Sequence, residues 1–247
     1  MPAPEAWLLG ELAAETVSDP ARVLRFRHWP DRYRTLAAER LIRHALRHEL
    51  GYAADEMRIG RDRSGRPFLA GPDGFTGDFN ASHHGTLVGC AVVGSGSVGF
   101  DIVDPEEFTD PDLVSILHAR ERAYCNRLPG GAARTRFLAR TWVLKEAYLK
   151  MVGTGLGVEP ASICFDMEAW PRGLFQIACG VGHHPEFQVW ERGAAMMAVA
   201  VSPARAALAV HEVSWEGLFP SFPGDGENEA DCAGAPADRV SGVGRKS

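Results

Sequence analysis

Three large polar or aromatic side chains recur at one-turn intervals in a segment with helical periodicity. Trp142, Glu146 and Lys150 are spaced i, i+4 and i+8 within residues 132–151. Positions four apart lie above one another on a helix, so the carboxylate and the amine share one face. On an arbitrary helix the pair would be a solvated ion pair of little energetic value. A second carboxylate opposite this face would change that interpretation.

A second carboxylate is present in a short apolar run. Residues 98–104 read VGFDIVD, which predicts a strand with Asp101 inside it. Carboxylate oxygens are the ligands that hard divalent cations prefer. If this strand and the helix pack together, Asp101 and Glu146 form a candidate site for such an ion.

The elements that must position these residues follow from periodicity and turn signals. One apolar stripe predicts the helix over residues 132–151, formed by Phe137, Leu144, Tyr148 and Met151. Further helices are predicted over residues 31–50, ended by Gly51, and over 111–128. Strands are predicted at residues 87–93, 98–103, 163–166, 174–178, 187–190, 196–201 and 207–213.

These elements suggest two α+β halves of similar size. We assign residues 1–100 to an N-terminal lobe and residues 101–218 to a C-terminal lobe. Residues 219–247 are rich in Gly, Ala, Ser and charged residues and lack apolar periodicity, so we expect a disordered tail.

Composition excludes several classes of protein. The 247 residues are 45% hydrophobic and carry a net charge of −6, which argues against a general nucleic-acid binder. No apolar run approaches the length of a membrane span, and the first residues do not read as a secretory signal. The five cysteines are scattered, without a CxxC motif or a nearby histidine. We therefore expect reduced thiols in a cytoplasm, neither a disulfide framework nor a zinc site.

Arginines are concentrated in one part of this acidic chain. Eight of them occur between residues 22 and 47, on the predicted helix over 31–50 and its approach. One interpretation is a solvated surface helix. The other is an anion site, because the guanidinium fork matches phosphate geometry.

Four short motifs in order give the chain a family resemblance. They read GRPF, FNASHHG, VGFDI and WVLKEAYLK, and they begin at residues 65, 79, 98 and 142. This series resembles the 4′-phosphopantetheinyl transferases of the surfactin type. The resemblance implies an α+β pseudo-dimer of two similar lobes, with coenzyme A and Mg²⁺ held in the cleft between them.

The resemblance also implies a reaction. Such enzymes transfer the 4′-phosphopantetheine arm of coenzyme A to a serine hydroxyl of an apo acyl or peptidyl carrier protein. Adenosine 3′,5′-bisphosphate is released. Because the cleft would lie within one chain, we expect a monomer whose partners are coenzyme A and a carrier protein, with no nucleic acid and no membrane.

Site residues are carried over where this chain matches the motifs. The resemblance makes Asp101 and Glu146 the magnesium ligands, with Glu146 alternatively a general base, and it places Lys150 at the pyrophosphate. The same resemblance implies coenzyme A contacts from Arg27, Arg34, Thr35, Arg66, Ser82, His83 and Lys145. Among these, Lys145 is the weakest candidate, because it lies five residues from Lys150 and points elsewhere on a helix.

One position departs from the family pattern. The family has a second acid two residues after the aspartate, where this chain has Val103. Asp104 follows on the opposite face of a regular strand, so we expect a water to take the place of the missing acid. The departure keeps open a second reading, a catalytically inactive module that binds coenzyme A or a carrier protein. Glu121 occupies a place where the family often has a glutamate, or else forms a surface ion pair with an arginine.

Overall fold

The structure is a computed structural model of the 247-residue chain. It describes residues 8, 11–12, 17–63, 65–109, 111–154, 157–179, 184–203 and 209–219. Among the helices of these ranges, none is both long and apolar enough to cross a membrane.

The N-terminal half is built from one long helix and two antiparallel hairpins. Helix α1 (Pro20–Arg25) is capped by Asp19, whose side chain accepts a hydrogen bond from the backbone N–H of Arg22. Helix α2 (Trp29–Leu50) ends at Gly51, which has the left-handed conformation typical of a C-terminal cap (φ 76°). The hairpins pair β1 (Arg58–Arg61) with β2 (Pro67–Gly71), and β3 (Asp78–His84) with β4 (Leu87–Val93).

The C-terminal half is built from a three-stranded sheet, one long helix and a small hairpin. Its sheet has the strand order β5–β9–β8, formed by β5 (Ser97–Val103), β8 (Glu186–Arg192) and β9 (Ala195–Ser202), all antiparallel. The long helix α4 (Ala132–Val152) packs on this sheet, and the apolar stripe expected from the sequence is buried. A short helix, α3 (Ala119–Cys125), and a small hairpin, β6 (Cys164–Phe165) with β7 (Ile177–Cys179), complete this half. The α+β class is thereby confirmed.

The two halves meet across an apolar layer. Val98, Phe100 and Ile102 alternate along β5 and project away from α4. They pack with residues of β9 and with partly buried side chains of β4, which are Leu87, Ala91 and Val93. Strand β5 therefore lies between α4 of its own half and the β3–β4 hairpin of the other half.

A glycine lets α4 lie close to β5. A Cβ atom at Gly99 would overlap the carbonyl oxygen of Ala147 and the backbone nitrogen of Met151. The two elements therefore approach closely at the position where β5 and α4 carry their polar residues. Sequence analysis did not assign this role to Gly99.

Several sequence-based boundaries are corrected by the structure. The expected helix over residues 111–128 is divided into a 3-10 helix (Pro111–Ile116) and α3, because His118 caps a new helix between them. The expected strand at 207–213 is not formed in its described part, residues 209–213. Phe219, placed in the disordered tail, is buried, whereas the rest of that tail lies outside the described residues. The predicted lobe boundary at residues 100–101 lies within β5, which pairs with β9 along its whole length, and the division into two lobes stays a prediction.

A short helix, α5 (Trp215–Leu218), closes the described chain against the N-terminal half. The buried ring of Phe219 follows it and lies under the guanidinium of Arg40, 4.9 Å from the ring centre. The end of the described chain therefore packs on α2 although it follows the C-terminal half in sequence.

Candidate active site

Three of the candidate residues form one hydrogen-bonded cluster. The Nζ atom of Lys150 lies 2.6 Å from Oδ1 of Asp101 and 3.1 Å from Oγ of Ser82. The Ser82 hydroxyl donates to the same Oδ1 atom at 2.8 Å. Each residue comes from a different element, namely β3, β5 and α4. The cluster therefore lies where the two halves join.

Side chains of β3 hold β5 in place at this junction. Asp78 Oδ2 accepts the backbone N–H of Val98 at 2.9 Å, and Asn80 Oδ1 accepts that of Phe100 at 3.0 Å. Asp78, Asn80 and Ser82 alternate along β3 and so share one face. We call these three residues the β3 polar row. Asp78 and Asn80 accept backbone N–H groups of β5, whereas Ser82 donates to the side chain of Asp101. The motifs in the sequence do not predict this function of Asp78 and Asn80.

Asp78 and Asn80 were detectable in principle from the sequence. The segment 78–82 reads DFNAS, in which polar residues alternate with apolar ones, as expected for a strand with one polar face. The alternation indicates a shared face but does not identify the backbone atoms that the face contacts, because those lie about twenty residues away in sequence.

Glu146 has no polar partner in the part of the chain that the structure describes. Its side chain is partly buried on α4, and no described residue donates to its carboxylate. Burial raises the pKa of this carboxyl above its ordinary value, and the negative charge of Asp101 raises it further, while Lys150 acts in the opposite direction. An unpartnered carboxylate close to a second one is the arrangement expected of a cation ligand or a proton acceptor.

The donor set fits a hard divalent cation. Asp101 and Glu146 offer carboxylate oxygens from a strand and a helix, and their charges interact. Val103 does not add to this set, because its side chain is buried in the core beneath α4. Asp104 does not turn toward it either, because its Oδ1 atom accepts the backbone N–H of Glu106 and caps a 3-10 helix. Two carboxylates are thus the acidic ligands offered here, and Mg²⁺ completes its coordination with waters and phosphate oxygens.

A basic region lies beside the cluster at the end of β3. The pKa of His83 is lowered, first by partial desolvation and then by the positive charge of Arg34, with a smaller effect of Lys150. Arg34 donates to the carbonyl oxygen of Gly85 at 2.8 Å and forms an ion pair with Asp31 at 3.0 Å. The helix α2 thereby brings positive charge close to His83 and Lys150.

The other arginines of the predicted cluster divide into two groups. Arg32 and Arg43 hold the N-terminal half together, because they donate to the backbone carbonyls of Phe26 and Met57. Arg27, in contrast, is exposed and forms no ion pair with any described residue. Thr35 donates its hydroxyl to the carbonyl oxygen of Asp31 at 2.7 Å, within the helix.

Arg66 joins the two halves. Its guanidinium donates to Asp78 Oδ2 at 2.5 Å, to the carbonyl oxygen of Val98 at 2.9 Å and to the carbonyl oxygen of Lys150. These contacts connect β3, β5 and the last turn of α4. Three of the five N–H donors of Arg66 are thus used by protein acceptors, and its expected contact with the nucleotide stays a prediction.

Lys145 does not face the cluster, which corrects its expected contact with coenzyme A. The side chain is fully buried, and Nζ donates to Oε2 of Glu121 at 2.6 Å and to the carbonyl oxygens of Ile116 and Pro160. Burial lowers the pKa of Lys145, while the charge of Glu121 opposes this effect. Its three N–H donors are all used inside the C-terminal half.

Glu121 does not form the surface ion pair with an arginine that was one of its two expectations. It is fully buried, and it accepts hydrogen bonds from the backbone N–H groups of His118 and Phe165 in addition to Lys145. A surface ion pair with an arginine is therefore wrong. The ion pair of Glu121 and Lys145 connects α3, α4 and β6 beneath the site.

An open cleft of about 660 Å³ lies at the end of β3, and its lining does not include Ser82, Asp101, Glu146 or Lys150. Its walls are the β3–β4 turn, which follows Ser82 and His83, and the β8–β9 turn. Asp104, three residues after Asp101, lines it as well. The cleft thus lies between hairpins of the two halves.

Comparison with known protein families gives two adjoining matches. Residues 1–94 match the model described as 4′-phosphopantetheinyl transferase, N-terminal. Residues 97–203 match the model of the 4′-phosphopantetheinyl transferase superfamily. The junction between the two models coincides with the turn before β5.

Curated relatives carry the same description. The chain is 35% identical over 162 residues to a phosphopantetheinyl transferase from Thraustochytrium sp., covering 60% of this chain and 56% of the relative. It is 29% identical over 185 residues to a 4′-phosphopantetheinyl transferase from Bacillus subtilis, covering 71% of this chain and 76% of the relative. The match to the rat L-aminoadipate-semialdehyde dehydrogenase-phosphopantetheinyl transferase, at 26% identity, spans 60% of that protein. The chain thus spans under two thirds of the first and third of these relatives.

A solved structure matches part of the chain. It is a holo-(acyl-carrier-protein) synthase from Bacillus anthracis in complex with coenzyme A, 27% identical, with a TM-score of 0.37. The match covers 42% of this chain and 93% of that one. The family of the chain is shown by the two family models, with which the curated relatives agree. Because the models together account for residues 1–94 and 97–203, the chain belongs to the 4′-phosphopantetheinyl transferase superfamily.

Proposed function

We propose that this chain transfers the 4′-phosphopantetheine arm of coenzyme A to a serine hydroxyl of an apo carrier protein in a Mg²⁺-dependent reaction. Adenosine 3′,5′-bisphosphate is the second product. The motifs favour the surfactin-activating type, whose substrates are acyl and peptidyl carrier domains. The observation that carries the proposal is the cluster of Asp101, Ser82 and Lys150 beside the unpartnered carboxylate of Glu146.

The proposed metal site consists of Asp101 and Glu146. When bound, Mg²⁺ would neutralise charge on the pyrophosphate oxygens of coenzyme A. Lys150 already lies 2.6 Å from Asp101, so its ammonium is near any phosphate oxygen that approaches the same carboxylate. Ser82 donates to Asp101 and fixes the orientation of that carboxylate before the ligand arrives.

Glu146 is also the proposed acceptor of the serine proton. It is the one acidic residue of this site without a hydrogen-bond donor in the described chain, so its oxygens are available to a substrate hydroxyl or to a water between them. The two roles of Glu146, metal ligand and base, remain alternatives here, as they do in the sequence.

Polar and basic side chains near the cluster are the proposed contacts of the coenzyme A phosphates. Arg34 lies near His83, and Arg27 is exposed on the approach to the same helix. Because the pKa of His83 is lowered, its neutral ring is proposed to contact a phosphate through an N–H group. Thr35 is the proposed polar neighbour of this group on α2. The three phosphate groups of coenzyme A carry several negative charges, which several basic side chains can bind through charge-assisted hydrogen bonds.

The cellular setting is part of the proposal. The four described cysteines are free thiols, which is compatible with a cytoplasmic protein. The β3 polar row and Arg66 join the two halves within one chain, and this supports a monomer as the active unit.

The test is a mass measurement on a carrier protein. Apo carrier incubated with this chain, coenzyme A and Mg²⁺ should gain about 340 Da, the mass of one transferred phosphopantetheine group. Omitting Mg²⁺ and adding EDTA should abolish the gain. An unchanged carrier mass across several acyl and peptidyl carriers would contradict the proposal.

A second candidate function is an inactive module that binds coenzyme A or a carrier protein. The observation that favours it is Val103, which is buried in the core where the family pattern has an acid. Asp104 cannot take that place without giving up its bond to the backbone N–H of Glu106. Retained binding of coenzyme A, measured by calorimetry, together with no transfer would support this alternative.

A further inference from the structure

Three side chains that the proposed reaction does not use lie together on the far side of α4. They are His118, which caps α3, Cys164 on β6 and Cys179 on β7. One ligand atom from each lies within 4.8 Å of the other two. From the sequence these cysteines are expected to be scattered, reduced thiols, because there is no CxxC motif and no close pairing with a histidine.

Strand pairing places the two cysteines opposite each other. Cys164 and Cys179 are direct partners in the antiparallel register of β6 and β7. Directly opposed residues have Cα atoms about 4.5–5.5 Å apart, and disulfides span Cα separations of about 4.4–6.8 Å. The two sulfur atoms lie within 4.8 Å of each other, so the pair is close enough for a disulfide to be proposed.

The hydrogen bonding of the histidine argues against a metal site. Nδ1 of His118 accepts the backbone N–H of Arg120 at 3.2 Å, so in the neutral ring the proton resides on Nε2. That nitrogen lies 4.0 Å from the sulfur of Cys179. A metal would need the lone pair of Nε2 and hence the loss of the cap, whereas this tautomer presents an N–H group to Cys179.

We propose that Cys164 and Cys179 form a reversible disulfide when the protein meets a peroxide or another thiol oxidant. Cys179 is the thiol that reacts first, because it is partly exposed and faces the N–H group of His118, whereas Cys164 is fully buried. The Cys179 thiolate attacks one peroxide oxygen, forming a sulfenic acid and releasing hydroxide. Cys164 then attacks that sulfur, the S–O bond breaks, and water leaves with the Cys164 proton.

The order of the two thiols agrees with their electrostatic surroundings. Burial, a hydrogen bond to Cys179 and the charge of Glu121 raise the pKa of Cys164 to about 12. With so high a pKa, Cys164 is a poor initial nucleophile, but it lies beside Cys179 and can attack a sulfenic acid formed there. Cys90 has a pKa raised to about 12 by burial as well, but it lies on β4, in the other half of the fold.

A disulfide between Cys164 and Cys179 would link β6 to β7 next to the buried ion pair of Glu121 and Lys145. Glu121 accepts the N–H of Phe165, the neighbour of Cys164, and binds Lys145 of α4. The disulfide would close the loop from residue 164 to residue 179 and so lower the conformational entropy of the unfolded chain. The oxidised protein should therefore have a Tm several degrees higher than that of the reduced protein.

The experiment uses the full chain with Cys232→Ser, which removes a cysteine outside the described residues and leaves four of the five. The protein is treated with hydrogen peroxide or diamide, denatured and alkylated with N-ethylmaleimide. We expect labelling to fall from four thiols to two and the mass before labelling to fall by about 2 Da for the two lost hydrogens. Peptide mapping should find residues 164 and 179 linked, and dithiothreitol should restore all four thiols.

Two matched variants separate this proposal from general oxidation. Cys179→Ser should retain all of its remaining thiols after the same treatment, whereas Cys90→Ser should still lose two. A chain in which four thiols persist under excess diamide, or in which a different pair of cysteines is linked, overturns the proposal. The readout does not depend on transferase activity, so its outcome is separate from that of the proposed function.

Discussion

Replacing Lys145 by methionine tests the assignment of this residue to the core. The substitution keeps an unbranched apolar side chain of similar length but removes the ammonium that binds Glu121. Glu121 then remains fully buried with only two backbone N–H donors, those of His118 and Phe165. The carbonyl oxygen of Ile116 loses this donor as well, and that of Pro160 keeps only the backbone N–H of Ile163.

The expected loss of stability is large. Removing one partner of a buried ion pair costs about 3–5 kcal/mol, because it leaves an uncompensated buried charge. In a chain of this size each kcal/mol lowers Tm by about 2–4 °C, so we expect a decrease of about 6–20 °C. Arg136→Met is the matched control, since the ion pair of Arg136 with Glu191 is largely exposed. That change should cost about 1 kcal/mol or less.

Two assays decide the outcome. Thermal and urea unfolding of Lys145→Met, Arg136→Met and wild type give the stability loss. At a temperature well below the variant's Tm, the KM for coenzyme A should equal that of wild type, because Lys145 lies away from the cleft. A stability loss no larger than that of the control, or a KM raised tenfold in a folded variant, would refute the reasoning and restore a role in coenzyme A binding.

The remaining predictions concern the junction of the lobes. Asn80→Val leaves the N–H of Phe100 without its acceptor, so the free energy of unfolding should fall by about 1–3 kcal/mol. Phosphopantetheine transfer should also slow, because β5 carries Asp101. An unchanged midpoint of urea unfolding would contradict this. Gly99→Ala forces α4 away from β5 and should lower the free energy of unfolding by about 2 kcal/mol or more. The control Gly130→Ala, where a Cβ meets nothing within 4 Å, should leave stability nearly unchanged. Equal stability losses at the two positions would be evidence against the close approach of α4 and β5. Glu146→Gln in EDTA should raise Tm at neutral pH, because burial raises the pKa of this carboxyl in the folded state and its ionisation there opposes folding. That gain should vanish as pH falls below the ordinary pKa of a glutamic acid, about 4.3, and a gain independent of pH would rule out this cause.

Much of the framework follows from local sequence patterns. The unbroken apolar run at Leu87–Val93 gives a strand with those bounds, and the apolar stripe of α4 gives the helix over Ala132–Val152. Gly51 ends α2 as expected, since a left-handed residue there is most easily a glycine. These patterns are formed by residues close together in the sequence, so the helix, the strand and the helix end can be predicted without knowing the fold.

Other features depend on residues far apart in the chain. The expected helix over 111–128 fails because His118 starts a new helix with a capping box, and His is an uncommon cap. Lys145 was placed near the ligand because it adjoins Glu146, but its partner Glu121 is 24 residues away. The pairing of Cys164 with Cys179 depends on a short hairpin that carries a register shift.

The candidate site was only partly visible in the sequence. The motifs identified Asp101, Glu146, Lys150 and Ser82, and three of these share one hydrogen-bonded cluster. They did not reveal that Arg66 is occupied by acceptors on β3, β5 and α4, or that Asn80 fixes β5. Those contacts join the two halves, so no pattern within one half predicts them.

The most direct test of the account compares transfer by wild type and Glu146→Gln. Transfer of phosphopantetheine to one apo carrier is followed by intact mass under single-turnover conditions, and coenzyme A binding is measured by calorimetry on the same preparations. The account predicts that Glu146→Gln folds and binds coenzyme A, while its transfer rate falls by about 10²-fold or more, as expected when a proton acceptor or metal ligand is lost. A folded Glu146→Gln variant that modifies the carrier at the wild-type rate would contradict the assignment of the active site.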